Sequence, residues 1–249
     1  MIDIGKLDGM CTLVVGGGRG LGRATALAFA REGADVVIAA RTQSEIEEVA
    51  KGIEQLGRNT AAIRTDATMD SQVQALVQKT LKILGKIDIL VNCQGDWLIK
   101  PTLETTEEEW DHVIDTNLKS VYLTCRAVLP IMINQKRGHI FNISSKAGLW
   151  YPGGGKPPIS IYKASKMGLI GLSKALAEEY VADGIGVHCI CPAPMDTPMR
   201  WAASPDAKKE RLLSPDTVAE MMVMIASHAD LNISEVIVPE IRIPYTSIR

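Results

Sequence analysis

Short apolar runs rich in β-branched residues alternate with longer amphipathic segments along almost the whole chain of 249 residues. Most of the short runs are apolar at every position, which is typical of strands buried on both faces of a parallel sheet. Parallel neighbours need a long crossover between them, and the amphipathic segments can supply it as helices. The alternation therefore predicts an α/β fold with a doubly wound, mostly parallel, seven-stranded sheet and helices on both faces.

The same pattern gives approximate positions for the elements. We expect strands at 12–15, 35–39, 60–65, 87–91, 138–143, 186–190 and 235–238, and helices at 20–31, 44–56, 71–84, 107–134, 160–181 and 215–227. No composition shift, repeat or linker interrupts the series, so residues 1–249 are expected to form one domain. Pro239 has no backbone N–H to donate to a neighbouring strand, so the last strand should lie at an edge of the sheet or end at this residue.

Composition argues against several classes of partner. The 27 Lys and Arg residues nearly balance the 29 Asp and Glu residues, so charge predicts neither a nucleic acid nor an anionic membrane as partner. No apolar run approaches the roughly 20 residues of a membrane span, and the first residues do not form a signal peptide. Five scattered cysteines favour reduced, buried thiols in a cytoplasmic protein. Cys189 and Cys191 lack a second ligand pair, so we expect no metal.

A glycine-rich loop lies directly between the first predicted strand and the first predicted helix. It contains Gly16, Gly18, Arg19, Gly20, Leu21 and Gly22. Glycines at this place allow a tight turn and let the backbone approach a pyrophosphate, which then rests on the helix N-terminus. The position of the loop predicts a dinucleotide site, although a glycine cluster alone also fits a flexible turn.

The end of the second predicted strand bears on which nicotinamide cofactor binds. A carboxylate there would bind the ribose 2′-hydroxyl of NAD, whereas a cation would accept a 2′-phosphate. The strand is followed by Arg41 and Thr42, and Arg19 is close by in the glycine loop. Guanidinium groups suit phosphate recognition, so NADP(H) is expected in preference to NAD(H). The alternative is that both arginines are simply solvated.

Tyr162 and Lys166 are four residues apart in a predicted helix and therefore share one face. A free tyrosine titrates near pH ~10, which makes it a poor acid–base group at neutrality. A cation held nearby favours the phenolate and should lower the pKa of Tyr162 toward the working range. The spacing alone is common on solvated helix faces, so the pair needs support from the rest of the chain.

With these motifs assembled, the chain resembles the short-chain dehydrogenase/reductase family over nearly its whole length. The resemblance is carried by the glycine loop, Asp66, Asn92-Cys93-Gln94-Gly95, Asn117, Asn142-Ile143-Ser144-Ser145, Tyr162 with Lys166, and Pro192 to Thr197. It implies a Rossmann fold and a hydride transfer between a nicotinamide cofactor and a carbonyl or alcohol.

The resemblance also implies catalytic roles. Tyr162 would exchange the proton of the substrate oxygen, and Ser145 would hydrogen-bond that oxygen. Lys166 would lower the pKa of the tyrosine and hold the nicotinamide ribose. Asn117 would anchor a water that links Lys166 to solvent. We expect Ser145 rather than Ser144 in this role, because neighbouring strand residues point to opposite faces.

Further residues are implied to bind the cofactor. Asp66 and Ala67 would contact the adenine, and Asn92 and Gly95 would line the adenosine side. Pro192, Met195 and Thr197 would hold the nicotinamide carboxamide. These residues add to the glycine loop, Arg41, Tyr162 and Lys166.

The substrate region is where the chain departs most from the family. The segment between Ser145 and Tyr162 is longer than usual, with the extra residues at 153–158, which are rich in Gly and Pro. Trp97, Trp150 and Trp201 lie in loops after strands, which predicts a pocket for an apolar or flat carbonyl compound. The alternative is that these side chains only cover the helices beneath them.

The leading expectation is an NADP(H)-dependent ketone reductase or alcohol dehydrogenase, with a 3-oxoacyl thioester as the substrate most common in the family. The alternatives are an NAD-dependent alcohol or sugar dehydrogenase and a catalytically idle, dinucleotide-binding sensor. By the resemblance, the helices at 107–134 and 160–181 would pair two copies, giving a homodimer or homotetramer.

Overall fold

The computed structural model of the protein describes residues 5–149, 157–228, 233 and 236–238. Its strands form one sheet in the order β3-β2-β1-β4-β5-β6-β7, and every neighbouring pair is parallel. The strands are β1 Cys11–Val15, β2 Asp35–Ala40, β3 Thr60–Arg64, β4 Ile89–Asn92, β5 Gly138–Ile143, β6 Ile185–Pro192 and β7 Val236–Val238. The predicted α/β fold is confirmed, and among the described strands the sheet is wholly parallel.

Strand burial follows from the unbroken apolar runs. Every residue of β1, β4, β5 and β6 is buried, whereas the edge strand β3 is only partly covered. Along β1, Val14 packs into one core cluster while Leu13 and Val15 pack into the other. Each fully buried aliphatic side chain of this kind contributes about 1.5–3 kcal/mol. The other edge strand of the described sheet is β7, and Pro239 predicted an edge position for it.

The helices cover both faces of the sheet. They are α1 Gly20–Arg31, α2 Gln43–Gln55, α3 Asp70–Leu84, α4 Glu107–Ile114, α5 Ser120–Gln135, α6 Ser160–Tyr180, α7 Pro198–Ala203 and α8 Pro215–Ala226. Helices α1, α2 and α8 pack into one core cluster, and α3, α5 and α6 pack into the other. No helix within the described ranges is both long enough and apolar enough to cross a membrane.

The helix expected at 107–134 is corrected by the structure. It consists of α4 and α5 joined by a π-helical turn at Asp115–Lys119. Such a turn adds one residue to the helical repeat, a change too small to show in hydrophobic periodicity. The turn has a local consequence, because it holds the side chain of Asn117 in the protein interior.

Helix α7 was also not expected from the sequence. Thr197 caps it by accepting a hydrogen bond from the Arg200 backbone nitrogen, and Pro198 occupies its first turn. The segment that carries α7 is closed at its base by paired backbone bonds between residues 194–196 and Leu213. The segment between β6 and α8, which we call the lobe after β6, is therefore held in place by backbone hydrogen bonds and contains a helix.

The strand order locates the expected ligand crevice. The chain runs outward from β1 to β3 on one side and from β4 to β7 on the other, so β1 and β4 flank the switch point. In open α/β sheets, ligands bind beyond the carboxyl ends of the strands at such a point. The glycine loop follows β1, and the segment beginning at Cys93 follows β4.

Candidate active site

The glycine loop is shaped by contacts that exclude side chains. Gly16 and Gly20 have positive φ angles of 78° and 54°, which favour glycine. A Cβ atom on Gly16 would overlap the Gln94 backbone, and one on Gly22 would overlap the Gly16 carbonyl. The loop thus turns tightly against the segment after β4 and leaves the N-terminus of α1 facing the crevice, an arrangement suited to a phosphate group.

A cavity of 250 Å³ lies over this loop. Its walls include most of the residues predicted to bind a cofactor: Gly16, Gly18, Arg19, Gly20, Leu21, Gly22, Arg41, Asp66, Ala67, Gly95, Tyr162, Lys166, Met195 and Thr197. A Cβ on Gly20 would lie 3.3 Å from Cγ2 of Thr197, so the lobe after β6 closes against the glycine loop. These walls fit a dinucleotide, with a glycine-lined helix N-terminus for a pyrophosphate and polar groups at one end.

Two predicted cofactor residues lie elsewhere. The Asn92 side chain is fully buried, donates to Asn142 Oδ1 at 2.9 Å and accepts from Thr124 Oγ1 at 2.8 Å. It therefore joins β4, β5 and α5 instead of lining the cavity, because the side chain of the last strand residue faces the helical layer. Pro192 lines a second, adjoining cavity rather than this one.

The outer end of the cavity carries charges of both signs. Partial burial disfavours the Asp66 carboxylate, but hydrogen bonds from Thr68 and the nearby Arg41 outweigh burial and lower the pKa of Asp66. Glu45 in the first turn of α2 also lines the cavity, and its Oε2 would lie 3.1 Å from a Cβ on Gly18. Glu45 gives no signal in the sequence, because it follows the end of β2 by several residues.

Tyr162 and Lys166 lie on the buried face of α6, with 6% and 4% of their surface exposed. Lys166 Nζ donates to the Ile143 carbonyl at 2.9 Å and lies 5.9 Å from the centre of the Tyr162 ring. Burial lowers the pKa of Lys166 to about 8. Burial raises the pKa of Tyr162 to about 12, and a hydrogen bond with Ser145 opposes that rise.

The raised pKa of Tyr162 corrects the expectation that Lys166 would lower it. The ammonium is directed at a backbone carbonyl, and the pKa of Tyr162 is raised by desolvation of the phenol, opposed by its hydrogen bond with Ser145. Tyr162 is consequently a neutral phenol at neutral pH in the protein alone. A neutral phenol is the form that can donate a proton to a substrate oxygen.

The two serines after β5 face different ways, as strand geometry requires. Ser144 Oγ donates to the backbone carbonyl of Lys166 at 2.9 Å and so fastens β5 to α6. Ser145 Oγ accepts from the Ala147 backbone nitrogen at 3.1 Å and hydrogen-bonds with Tyr162. Ser145 is therefore the serine beside the phenol.

Asn117 is fully buried and connects three parts of the site. Its Oδ1 accepts from the Asp96 backbone nitrogen at 2.6 Å, while its Nδ2 donates to the Asp96 carbonyl at 3.0 Å and to Ser165 Oγ at 2.9 Å. A Cβ on Gly95 would lie 3.3 Å from both Asn117 Oδ1 and Lys166 Nζ. Asn117 thus holds the segment after β4 against α6, beside the lysine.

A second cavity of 510 Å³ adjoins the first. Both are lined by Ser144, Tyr162, Met195, Thr197 and Met199, so Tyr162 lies where they meet. Trp97 lines the second cavity with its ring centre 4.5 Å from that of Tyr162. We refer to this second cavity as the substrate cleft.

The other predicted pocket residues differ in their placement. Trp201 is absent from the described lining of the cleft, because its Nε1 donates to Asp196 Oδ1 at 2.7 Å. Trp150 lies outside the described residues, as does most of the 153–158 insertion. Pro157 and Pro158 do line the cleft, and the Pro158 carbonyl accepts from the Lys100 backbone nitrogen at 2.8 Å.

The structure adds residues that sequence reasoning missed. Cys93, Gln94, Asp96, Thr116 and Ser120 line the cofactor cavity, and Lys146, Lys163 and Arg200 line the substrate cleft. Lys163 follows Tyr162 directly, so its proximity could have been inferred. Arg200 belongs to the unexpected helix α7, which gave no such signal. Within the described ranges, no cluster of side chains suited to a metal ion occurs.

The strand order is that of a Rossmann-type sheet, which binds dinucleotides at its switch point. A family model described as short chain dehydrogenase matches residues 10–208. The chain therefore belongs to the short-chain dehydrogenase/reductase family.

Relatives and solved structures agree with this assignment. The 3-oxoacyl-(acyl-carrier-protein) reductase FabG of Thermotoga maritima is 33% identical over 231 residues, covering 89% of this chain and 92% of the relative. Oxidoreductase UcpA of Salmonella typhimurium is 35% identical over 240 residues, covering 90% of each chain. The crystal structure of levodione reductase is 28% identical, with a TM-score of 0.84 and coverage of 94% and 96%.

Proposed function

We propose that the protein is an NADP(H)-dependent oxidoreductase that reduces a ketone, or oxidises the corresponding secondary alcohol, with Tyr162 as proton donor or acceptor. The observation that carries the proposal is the position of Tyr162, which lines both the cofactor cavity and the substrate cleft. A group at that junction can reach an oxygen atom in the cleft beside a nicotinamide ring.

In the reducing direction, a bound reduced nicotinamide supplies a hydride to the carbonyl carbon. Tyr162 donates its phenolic proton to the carbonyl oxygen, which completes the alcohol. Ser145, already hydrogen-bonded to the phenol, stabilises the negative charge that develops on that oxygen. Oxidation of an alcohol uses the same groups in reverse.

Lys166 and Asn117 are proposed to help return Tyr162 to its protonated form after each turnover. After proton donation the tyrosine is a phenolate, and the buried Lys166 ammonium stabilises it until a proton returns. Asn117 lies beside Lys166, against Gly95, where it can hold a water that leads to solvent. Lys166 also lines the cofactor cavity, so its ammonium is available to hold the ribose.

The choice of NADP(H) rests on Arg19 and Arg41, which both line the outer end of the cofactor cavity. Glu45 lines the same end and favours the alternative, because a carboxylate can accept from a ribose 2′-hydroxyl. The carboxylates of Glu45 and Asp66 balance the two guanidinium groups in net charge, but only the guanidinium groups can bind a 2′-phosphate. We therefore place NADP(H) ahead of NAD(H).

The substrate is proposed to be a 3-oxoacyl thioester or an apolar ketone. The first rests on similarity to a 3-oxoacyl-(acyl-carrier-protein) reductase, and the second on the cleft lining by Trp97, Met195 and Met199. A catalytically idle sensor is disfavoured, because Asn117, Ser145, Tyr162 and Lys166 are all present and assembled around one junction.

A panel of carbonyl compounds and alcohols, assayed with each cofactor, tests this function. Steady NADPH oxidation with at least one ketone is the expected result. Tight NADPH binding without turnover of any panel member would instead support the idle sensor. Faster turnover with NADH than with NADPH would favour the NAD-dependent alternative.

We also propose that the protein pairs through the outer faces of α4, α5 and α6, as a cytoplasmic homodimer or homotetramer. Trp110, Tyr122 and Met167 on these helices are 43%, 45% and 49% exposed, which is unusual for large apolar side chains on a free surface. None of the five cysteines, all of which lie in the described residues, forms a disulfide, consistent with a reducing compartment. Light scattering on the purified protein checks the assembly, and a monomer would contradict it.

A further inference from the structure

The substrate cleft is lined by positive charge. Lys146, Lys163 and Arg200 contribute to its wall, whereas the described lining contains neither aspartate nor glutamate. A neutral ketone needs none of these cations, since Tyr162 and Ser145 suffice for the reacting oxygen.

Arg200 is the most informative of the cations. Its Nε is buried, and it has no hydrogen-bond partner among the described residues. No described carboxylate forms an ion pair with its guanidinium. Asp196, the acidic group nearest in sequence, is instead engaged by Trp201 Nε1 at 2.7 Å and by Lys209 at 3.4 Å. A buried, unsatisfied donor is costly, which indicates that a ligand completes it.

Two further donors line the same cleft. Trp97 Nε1 is also buried without a hydrogen-bond partner in the described structure. Lys163 is half-buried on α6, one residue beyond Tyr162, and no described carboxylate pairs with it. Arg200 on α7 and Lys163 on α6 therefore approach the cleft from two different elements. Donors that line one cleft from different helices suit a planar or tetrahedral anion.

We propose that the substrate is an anionic carbonyl compound whose carboxylate or phosphate group is bound in the cleft by Arg200 and Lys163, with Trp97 Nε1 as an additional donor. The inference rests on the proposed function, because it places the reacting carbonyl at Tyr162. It specifies the substrate class beyond an apolar ketone: an apolar body lies against Trp97 and the methionines, and a negative charge lies at α7.

Binding of unreactive ligands tests the charge requirement without relying on turnover. Phenylbutyrate, phenylbutyramide and phenylbutyl phosphate share an apolar body and differ in charge. Calorimetry with the NADP⁺-saturated protein should show the carboxylate or the phosphate, or both, binding at least about tenfold more tightly than the amide. The anion that binds more tightly than the amide identifies the charged group of the substrate. Equal affinity for all three ligands would overturn the proposal.

Variants assign the effect to residues. Arg200→Gln should weaken binding of the preferred anion about ten- to hundredfold and leave the amide unchanged, and Lys163→Gln should weaken it less. Lys208→Gln removes a nearby exposed lysine that does not line the cleft and should change nothing. Arg200→Lys, which keeps the charge, should recover part of the affinity. An unchanged anion preference in Arg200→Gln would contradict the assignment.

The two proposals fail in different ways. Failure of NADP⁺ to bind, or full ketone turnover by Tyr162→Phe, would count against the proposed function. Normal catalysis combined with indifference to ligand charge would count against the anion site alone.

Discussion

Tyr162 and Lys166 are both nearly excluded from solvent, and desolvation is the largest influence on each. The charged form is disfavoured in both groups, so the phenol stays protonated while the ammonium becomes easier to deprotonate. At neutral pH, the protein alone therefore holds a proton donor beside a cation. This is the protonation state that ketone reduction requires.

The pKa of Lys166 predicts the pH dependence of turnover. Ketone reduction should be nearly constant through neutral pH and should decline above about pH 8, because Lys166 then loses the proton that stabilises the phenolate. The measurement is kcat against pH with saturating cofactor. A rate that rises continuously through alkaline pH would contradict this role for the ammonium.

Arg41 and Glu45 predict opposite changes in cofactor choice. Arg41→Ala should raise KM for NADPH about ten- to hundredfold with little change for NADH, because only the 2′-phosphate loses a charge-assisted contact. Glu45→Gln is the matched variant and should leave NADPH at least as effective as in the parent. An equal increase in KM for NADPH and NADH in Arg41→Ala would show that the arginine does not bind the 2′-phosphate.

At the scale of elements, the π-helical turn between α4 and α5 determines where Asn117 lies. Sequence periodicity predicted the helices around it and most of their ends, because those ends follow from apolar spacing and strand breaks. The turn and α7 were missed because each depends on a local backbone choice that leaves no periodic signal. Glu45 and Arg200 were missed for a related reason. Their roles depend on how α2 and α7 are placed against the cavities, which the sequence pattern does not show.

Asn117→Ala should lower the free energy of unfolding by about 1–3 kcal/mol, because the partly buried backbone groups of Asp96 lose their partner. It should also lower kcat, since the segment after β4 is no longer held beside Lys166. Thr106→Ala is the matched control. It removes the cap of α4, should cost about 1 kcal/mol and should leave kcat unchanged. Equal kcat in the two variants would argue against a positioning role for Asn117.

At the scale of the whole molecule, two buried histidines connect the central strands β5 and β6. His139 Nδ1 and His188 Nε2 lie 3.0 Å apart, so both rings cannot be charged together. Burial lowers the pKa of both, and that of His188 falls to about 3, with the charge of His139 adding to the effect. Unfolding exposes both rings, which then bind protons near their ordinary pKa of about 6.5.

The histidine pair predicts loss of stability in mild acid. The unfolded chain binds more protons than the folded chain below about pH 6.5, so the free energy of unfolding falls as pH decreases from there toward about 3. The slope approaches about 1.4 kcal/mol per pH unit for His188, and His139 adds to it in the same direction. Urea unfolding between about pH 7 and pH 5 measures it. His228→Gln, at an exposed site, should retain the slope, and a flat profile in the parent would contradict the prediction.

The central claim is that Tyr162 transfers the substrate proton, and Tyr162→Phe tests it most directly because only the hydroxyl is removed. Single-turnover reduction of the best ketone should slow by about a hundred- to ten-thousandfold, the usual contribution of a general acid. The dissociation constant for NADPH, measured on the same preparation by fluorescence, should stay within about threefold of the parent value. Turnover within about tenfold of the parent enzyme, with cofactor binding intact, would contradict the account.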